Sequence, residues 1–236
     1  MAASKKSRKG GLALNNRRKL IAKYDPKSPI SEQYRTIRTN ILYSSIDEEI
    51  RSMLVTSSGP GEGKSTTAAN LAVVFAQQGK TVLLVDADLR KPTVHYTFSL
   101  NNTAGLTSIL TNQLSLMEAV HQNEEKNLYV LPSGPIPPNP SELLGSRAMN
   151  YFLEKALEEF DLVIFDTPPV LAVTDAQVLA NLCQGAILVV SSGKTDKEQI
   201  IKTKERLLAS SGKILGVVLN NKKADKKGNY YYYGTN

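Results

Sequence analysis

Within the ten residues Ser57-Ser58-Gly59-Pro60-Gly61-Glu62-Gly63-Lys64-Ser65-Thr66 stand the groups needed to hold a polyphosphate. The glycines let successive amide N–H groups face one concavity, and a following helix adds the positive end of its dipole. The Lys64 ammonium can then reach terminal phosphates, and the Ser65 hydroxyl can ligate magnesium. The expected nucleotide contacts are Gly59, Pro60, Gly61, Glu62, Gly63, Lys64, Ser65 and Thr66, with one departure from the usual pattern: Ser58 stands where the first glycine belongs. Two further apolar runs end in carboxylates, Val82-Leu83-Leu84-Val85-Asp86-Ala87-Asp88 and Leu162-Val163-Ile164-Phe165-Asp166. Carboxylate oxygens beside a triphosphate suit magnesium, and one left over can accept the proton of an attacking hydroxyl. The set predicts a site for ATP and Mg2+.

These residues need a scaffold that brings strand ends together. The phosphate loop follows the apolar run Met53-Leu54-Val55 and precedes the helical pattern Ala68 to Ala76, so it sits where a strand turns into a helix. Apolar runs that end in charge are how buried parallel strands deliver side chains to the carboxyl edge of a sheet, where ligands bind in open α/β folds. More strands are expected at Leu128–Leu131, Gly185–Val190 and Lys213–Leu219, the last ending at Asn220, a candidate for the adenine pocket. Short helices are expected over Gly105–Leu110 and Ser115–Val120, and capping boxes at Thr174/Gln177 and Thr195/Glu198 open two more. The proline-rich stretch Gly134 to Pro140 reads as a rigid loop on the nucleotide side. The fold class is α/β, a mostly parallel sheet with helices on both faces.

At 236 residues and 41% hydrophobic content the chain can bury the core of a single domain. No run of eighteen apolar residues occurs and the basic N-terminus lacks an apolar segment after it, so neither a membrane span nor a secretory signal is expected, and the location is cytoplasmic. One cysteine, Cys183, lies in an apolar segment and reads as core. The net charge of +7 concentrates at the two ends. With no groove-reading motif beside it, this charge suits a solvated tail or an anionic membrane surface better than nucleic acid. Residues 1–27 are basic and aperiodic and read as a mobile arm; 28–221 form the catalytic domain; 222–236 form a flexible tail of lysines and tyrosines. A helix begins at Ser28-Pro29, with Ile30, Tyr34, Ile37 and Ile41 at helical spacing. It carries Glu32, Arg35 and Arg38 three apart on one face, fit for internal pairs or for contact with another subunit. Four consecutive tyrosines, Tyr230 to Tyr233, lie beyond the last core element and suggest a substrate carried by the enzyme itself.

Taken together, the phosphate loop, the Leu84–Pro92 and Ile164–Pro169 motifs, the Gly134–Leu144 loop and the terminal tyrosines resemble the bacterial tyrosine kinases of capsule and exopolysaccharide synthesis. The resemblance runs from about Asp25 onward, to the P-loop NTPase fold of the MinD/ParA-like branch. It is closest to the split, Gram-positive type, in which a separate transmembrane activator switches the kinase on through its cytoplasmic tail and recruits it to the inner face of the membrane. It implies that Lys64 holds the phosphates, that Ser65 and Asp86 approach magnesium with Asp166 in support, and that Asp88 accepts the tyrosine proton. It further implies that Glu32, Arg35 and Arg38 build a ring of subunits, and that Tyr230, Tyr231, Tyr232 and Tyr233 are phosphorylated in trans. A cognate tyrosine phosphatase and other protein substrates belong to the same picture. The alternative is a partitioning or division-site ATPase switching on DNA or membrane; those proteins carry a signature lysine early in the phosphate loop, where this chain has Gly59 and then Pro60.

Overall fold

The carboxyl edge of one sheet organises the molecule. In the computed structural model, which describes residues 20–44, 49–210 and 212–223, seven strands lie in the order β3-β4-β2-β5-β1-β6-β7. They are β1 (Ser52–Ser57), β2 (Val82–Asp86), β3 (His121–Gln122), β4 (Leu128–Leu131), β5 (Leu162–Asp166), β6 (Gly185–Ser191) and β7 (Ile214–Asn220). All neighbours are parallel except β3, a two-residue antiparallel strand on β4 that the sequence reading did not include. Strands β1, β2, β5 and β6 are buried along their whole length, which is why they read as continuous apolar runs instead of alternating ones.

Successive residues of each strand feed two cores. Met53 and Val55 of β1, with Val82 and Leu84 of β2, pack under helices α1 (Ile21–Tyr24), α2 (Pro29–Leu42) and α3 (Lys64–Gln77). Leu54, Leu83 and Val85 face the other side. That face is covered by α5 (Leu106–Leu110), α6 (Leu116–Ala119), α8 (Arg147–Glu159), α9 (Asp175–Ala180) and α10 (Lys197–Ala209). The remaining helices, α4 (Val94–Phe98) and α7 (Pro140–Leu144), are single turns in the connections after β2 and β4.

Helix α3 is apolar nearly all round, with Ala68, Leu71, Ala72, Val73, Val74 and Phe75 buried, because the sheet takes one side and α1 and α2 take the other. Each of the larger side chains contributes about 1.5–3 kcal/mol by leaving water. This burial fixes the helix whose N-terminus is the phosphate loop.

Several expectations need correction. Residues 20–24 are not part of a mobile arm: Leu20 and Ala22 are buried, and the Ala22 amide donates to Asn70 Oδ1 at 3.0 Å, so a turn of helix closes over α3. The rest of the expected arm lies outside the described residues. Neither threonine box forms. Thr174 caps α9 by position but its hydroxyl donates to Ser141 Oγ at 3.3 Å. Thr195 Oγ1 instead accepts from the Ser191 amide at 3.0 Å, and Asp196 takes the N-cap of α10. The capping box that does form is Ser115/Glu118, at the start of α6. Ser28 caps α2 as expected, accepting from the Ser31 amide, and Cys183 is buried and free.

Candidate active site

The phosphate loop joins β1 to α3 through two left-handed glycines, Gly61 (φ +72°) and Gly63 (φ +99°). A Cβ on Gly63 would lie 2.1 Å from Asn220 Nδ2, so a larger residue there would have to displace the Asn220 side chain and hold a strained positive φ. The loop is pinned from within by Glu62, buried at 2% exposure, whose carboxylate accepts from the Ser58 amide (3.1 Å) and the Gly59 amide (3.1 Å). It is pinned from outside by three side chains. Asn220 Nδ2 donates to Glu62 O (2.9 Å), Lys194 Nζ to Pro60 O (3.0 Å), and Thr203 Oγ1 to Ser58 Oγ (2.9 Å). The last bond explains the departure at Ser58: its hydroxyl anchors the loop to α10, which a glycine cannot do.

The three aspartates arrive from neighbouring strand ends. Asp86 and Asp166 sit opposite each other in the β2–β5 register, and Asp88 follows two residues beyond Asp86. Lys64 Nζ lies 3.1 Å from Asp88 Oδ2, 3.3 Å from Asp166 Oδ1 and 3.2 Å from Ser65 Oγ. Burial alone would push the Lys64 ammonium down, but Asp166 and Asp88 together hold it above the ordinary lysine range. Asp86 is held by backbone amides: Oδ2 accepts from the Thr93 and Val94 amides at 2.9 and 2.8 Å, and Oδ1 from the Asp88 amide at 3.3 Å. Burial, and then the neighbouring Asp166 charge, raise its carboxyl to about 7. Asp166 Oδ2 is buried and accepts no hydrogen bond among the described residues.

A cluster that sequence reasoning missed stands beside this edge. Arg90 holds the fully buried Asp175 in a two-pronged pair, Nε to Oδ2 at 2.9 Å and Nη2 to Oδ1 at 3.0 Å, and Ser141 Oγ joins it at 2.6 Å. It ties the loop after Asp88 to α7 and α9. No local pattern marks it, because its members are 34 and 85 residues apart. Glu32 and Arg35 form an ion pair on the exposed face of α2, whereas Arg38 Nη1 donates to Val74 O of α3 at 2.7 Å. The two arginines therefore do not share one role. Tyr230, Tyr231, Tyr232 and Tyr233 lie outside the described residues. A cavity of about 380 Å3 under α5, α6 and α8 contains none of the residues named for phosphate or metal.

A P-loop whose lysine is met by carboxylates from two neighbouring strands is a phosphoryl-handling site, and comparison with known proteins narrows it. The family described as "AAA domain" matches residues 50–207. Tyrosine-protein kinase YwqD of Bacillus subtilis (strain 168) is 60% identical over 218 residues, spanning 92% of each chain. The chain belongs to the bacterial tyrosine kinases. The crystal structure of the chimerical protein CapA2B2 superposes with a TM-score of 0.84 at 47% identity, covering 87% of this chain and 90% of that one. The septum site-determining protein MinD of Pyrococcus horikoshii, at 24% identity and a TM-score of 0.62 over 72% of this chain and 69% of that one, shares the fold alone. This bacterial tyrosine kinase transfers phosphate from a nucleotide to protein tyrosine, on a scaffold it shares with the division ATPases. Among its described residues no helix is long and apolar enough to cross a membrane.

Proposed function

We propose that this kinase uses Mg-ATP to phosphorylate its own terminal tyrosines, in trans between subunits, under the control of a separate membrane adaptor, and that it thereby regulates exopolysaccharide or capsule synthesis. The observation that carries the reading is the meeting of Lys64 with Asp88 and Asp166 at one sheet edge. The residues fit a divalent cation. Asp166 Oδ2 is an orphaned buried oxygen, Ser65 Oγ lies at the same lysine, and burial together with the neighbouring Asp166 charge raises the Asp86 carboxyl, a conflict that a cation would relieve. No group of three or more metal-ligating side chains occurs among the described residues, so the cation would be held by Ser65, Asp86 or Asp166, water and phosphate oxygens. When bound it would neutralise charge developing on the phosphates.

The chain's own groups divide the remaining work. Amides of Gly61 to Thr66 and the Lys64 ammonium bind and orient the phosphates. The tyrosine oxygen attacks the γ-phosphorus as the bond to the ADP oxygen breaks, and the phenolic proton passes to Asp88, the least buried of the three aspartates at 6% exposure. An ordinary phenol has a pKa near 10, so that proton must leave during transfer, and positioning supplies much of the rate. A ring built through Glu32 and Arg35 on α2, a helix that Arg38 fastens to α3, would bring each tail to a neighbour's site. Phosphates of roughly −2 charge each would then repel the tail from the aspartates and loosen the ring, until a tyrosine phosphatase reset it.

The test is native mass spectrometry of the full chain before and after incubation with Mg-ATP. Oligomers that dissociate as tail phosphate accumulates are expected; an assembly state indifferent to phosphorylation would remove the ring from the reading.

A further inference from the structure

The loop that carries Asp88, between β2 and α4, is held at its base and at its tip. At the base the Asp86 carboxylate gathers the Asp88, Thr93 and Val94 amides, and Leu89 is buried against the second core. At the tip Arg90 reaches out to Asp175 and Ser141, side chains of α9 and α7. The tip bears on the chemistry because the next residue, Lys91, donates its amide to Asp88 Oδ1 at 3.0 Å. That bond closes the turn from Asp88 to Lys91 and keeps the carboxylate from rotating. Oδ2 is left as the oxygen turned to the phosphate site, 3.1 Å from Lys64 Nζ.

The clamp at the tip has more direction than a packing contact needs. Asp175, the first residue of α9, is fully buried. It accepts from Arg90 Nε at 2.9 Å, from Arg90 Nη2 at 3.0 Å and from Ser141 Oγ at 2.6 Å. Ser141 Oγ in turn accepts from Arg90 Nη2 at 3.0 Å and from Thr174 Oγ1 at 3.3 Å. A buried ion pair adds little stability over apolar packing of the same volume. What a two-pronged pair of guanidinium and carboxylate supplies is geometry, because the planar fork holds both partners in one orientation. We propose that Arg90 and Asp175 are positioning residues for phosphoryl transfer, holding the loop tip so that the Lys91 amide keeps Asp88 turned toward the hydroxyl of the acceptor tyrosine. Ser141 braces the pair. The inference rests on the reading of Asp88 as the group that takes the tyrosine proton. Nucleotide binding does not pass through this path, since loop amides and Lys64 hold the phosphates. Loosening the clamp therefore acts on kcat, where a displacement of about 1 Å at a reacting group can cost on the order of a hundredfold.

The test is a double-mutant cycle on the full chain, with tail phosphorylation followed by mass spectrometry at saturating Mg-ATP in the presence of the adaptor's cytoplasmic tail. Arg90→Lys keeps the charge and loses the fork. It and Asp175→Asn should each lower kcat about tenfold or more, with the KM for ATP within about twofold of the wild type. Beside Asp88→Asn the same substitutions should cost less than about twofold further, because the residue they position no longer takes the proton. Ser141→Ala leaves the ion pair in place and gives a milder form of the test should the buried pair be required for folding. It should lower kcat about threefold, again with no effect beside Asp88→Asn. Hydrogen exchange supplies a readout apart from activity: in Arg90→Lys the Lys91 amide should exchange faster, while the Thr93 and Val94 amides held by Asp86 keep their protection. Losses that add in full to that of Asp88→Asn, or protection lost equally at all three amides, would make the pair a general brace of the fold and overturn the proposal, leaving the reading of Asp88 intact. A raised KM for ATP at unchanged kcat would overturn it too. Wild-type kcat in Asp88→Asn would remove both the base and the residues said to position it.

Discussion

Asp86 and Asp166 face each other across β2 and β5 with one ammonium close by, and the crowding has a measurable consequence at the scale of a single residue. Because Asp86 rises from its ordinary value to about 7, the metal-free folded chain holds a proton between about pH 4 and 7 that the unfolded chain has released. The associated stability is present on the acid side and is lost as pH rises through 7. In chelator-treated protein, Asp86→Asn should therefore flatten the fall in stability between about pH 4 and 7, by no more than about 1.4 kcal/mol per pH unit. Denaturant midpoints that fall equally in both proteins would contradict this origin of the shift. At Glu62 the expectation concerns the loop: Glu62→Ala leaves the Ser58 and Gly59 amides unpaired, which should cost about 1–3 kcal/mol and raise the KM for ATP. Calorimetric ATP binding unchanged in that variant would show that the loop holds its shape without the clamp. Lys64, Ser65, Asp88 and Asp166 were legible in the sequence because each sits in a local pattern, a glycine-rich turn or the end of an apolar run. Lys194 and Thr203 were not, since they meet the loop from 134 and 145 residues away and only the packing of α10 brings them there.

At the scale of elements, α2 separates two arginines that look equivalent in sequence. Arg38 fastens the helix to α3 through Val74 O, so Arg38→Ala should destabilise the chain by about 1.5–3 kcal/mol, read as a lower denaturant midpoint. Arg35 pairs with Glu32 and donates to Pro26 O at 2.8 Å on the exposed side of α2, where such contacts contribute little. Arg35→Ala should then leave stability within about 0.5 kcal/mol while lowering assembly, measured by sedimentation. Equal stability losses in the two variants would contradict the division of labour. The start of α2 was readable because Ser28-Pro29 is a local cap. The turn α1 was not: four residues have no period to read, and Leu20 and Ala22 count as core only once α3 lies beneath them. The threonine boxes failed for a related reason, since each hydroxyl found a partner supplied by another connection, Ser141 or the Ser191 amide, in place of its own helix.

The whole molecule is a nucleotide site built at one sheet edge, with parallel strands, two-sided burial and carboxylate placement all foreshadowed by the runs of apolar residues that end in charge. What no local pattern fixed is the order in which the strands lie side by side, and hence that β7, not an inner strand, would be left at the border. The central claim is that this edge transfers phosphate to the chain's own tyrosine tail under the control of an adaptor. The most direct measurement is mass-spectrometric mapping of phosphotyrosine after the pure chain is incubated with Mg-ATP, with and without the adaptor's cytoplasmic tail, beside Lys64→Met. Phosphate on one or more of Tyr230, Tyr231, Tyr232 and Tyr233, absent in Lys64→Met and increased by the adaptor tail, is the expected result. ATP hydrolysis without phosphotyrosine under any of these conditions would contradict it.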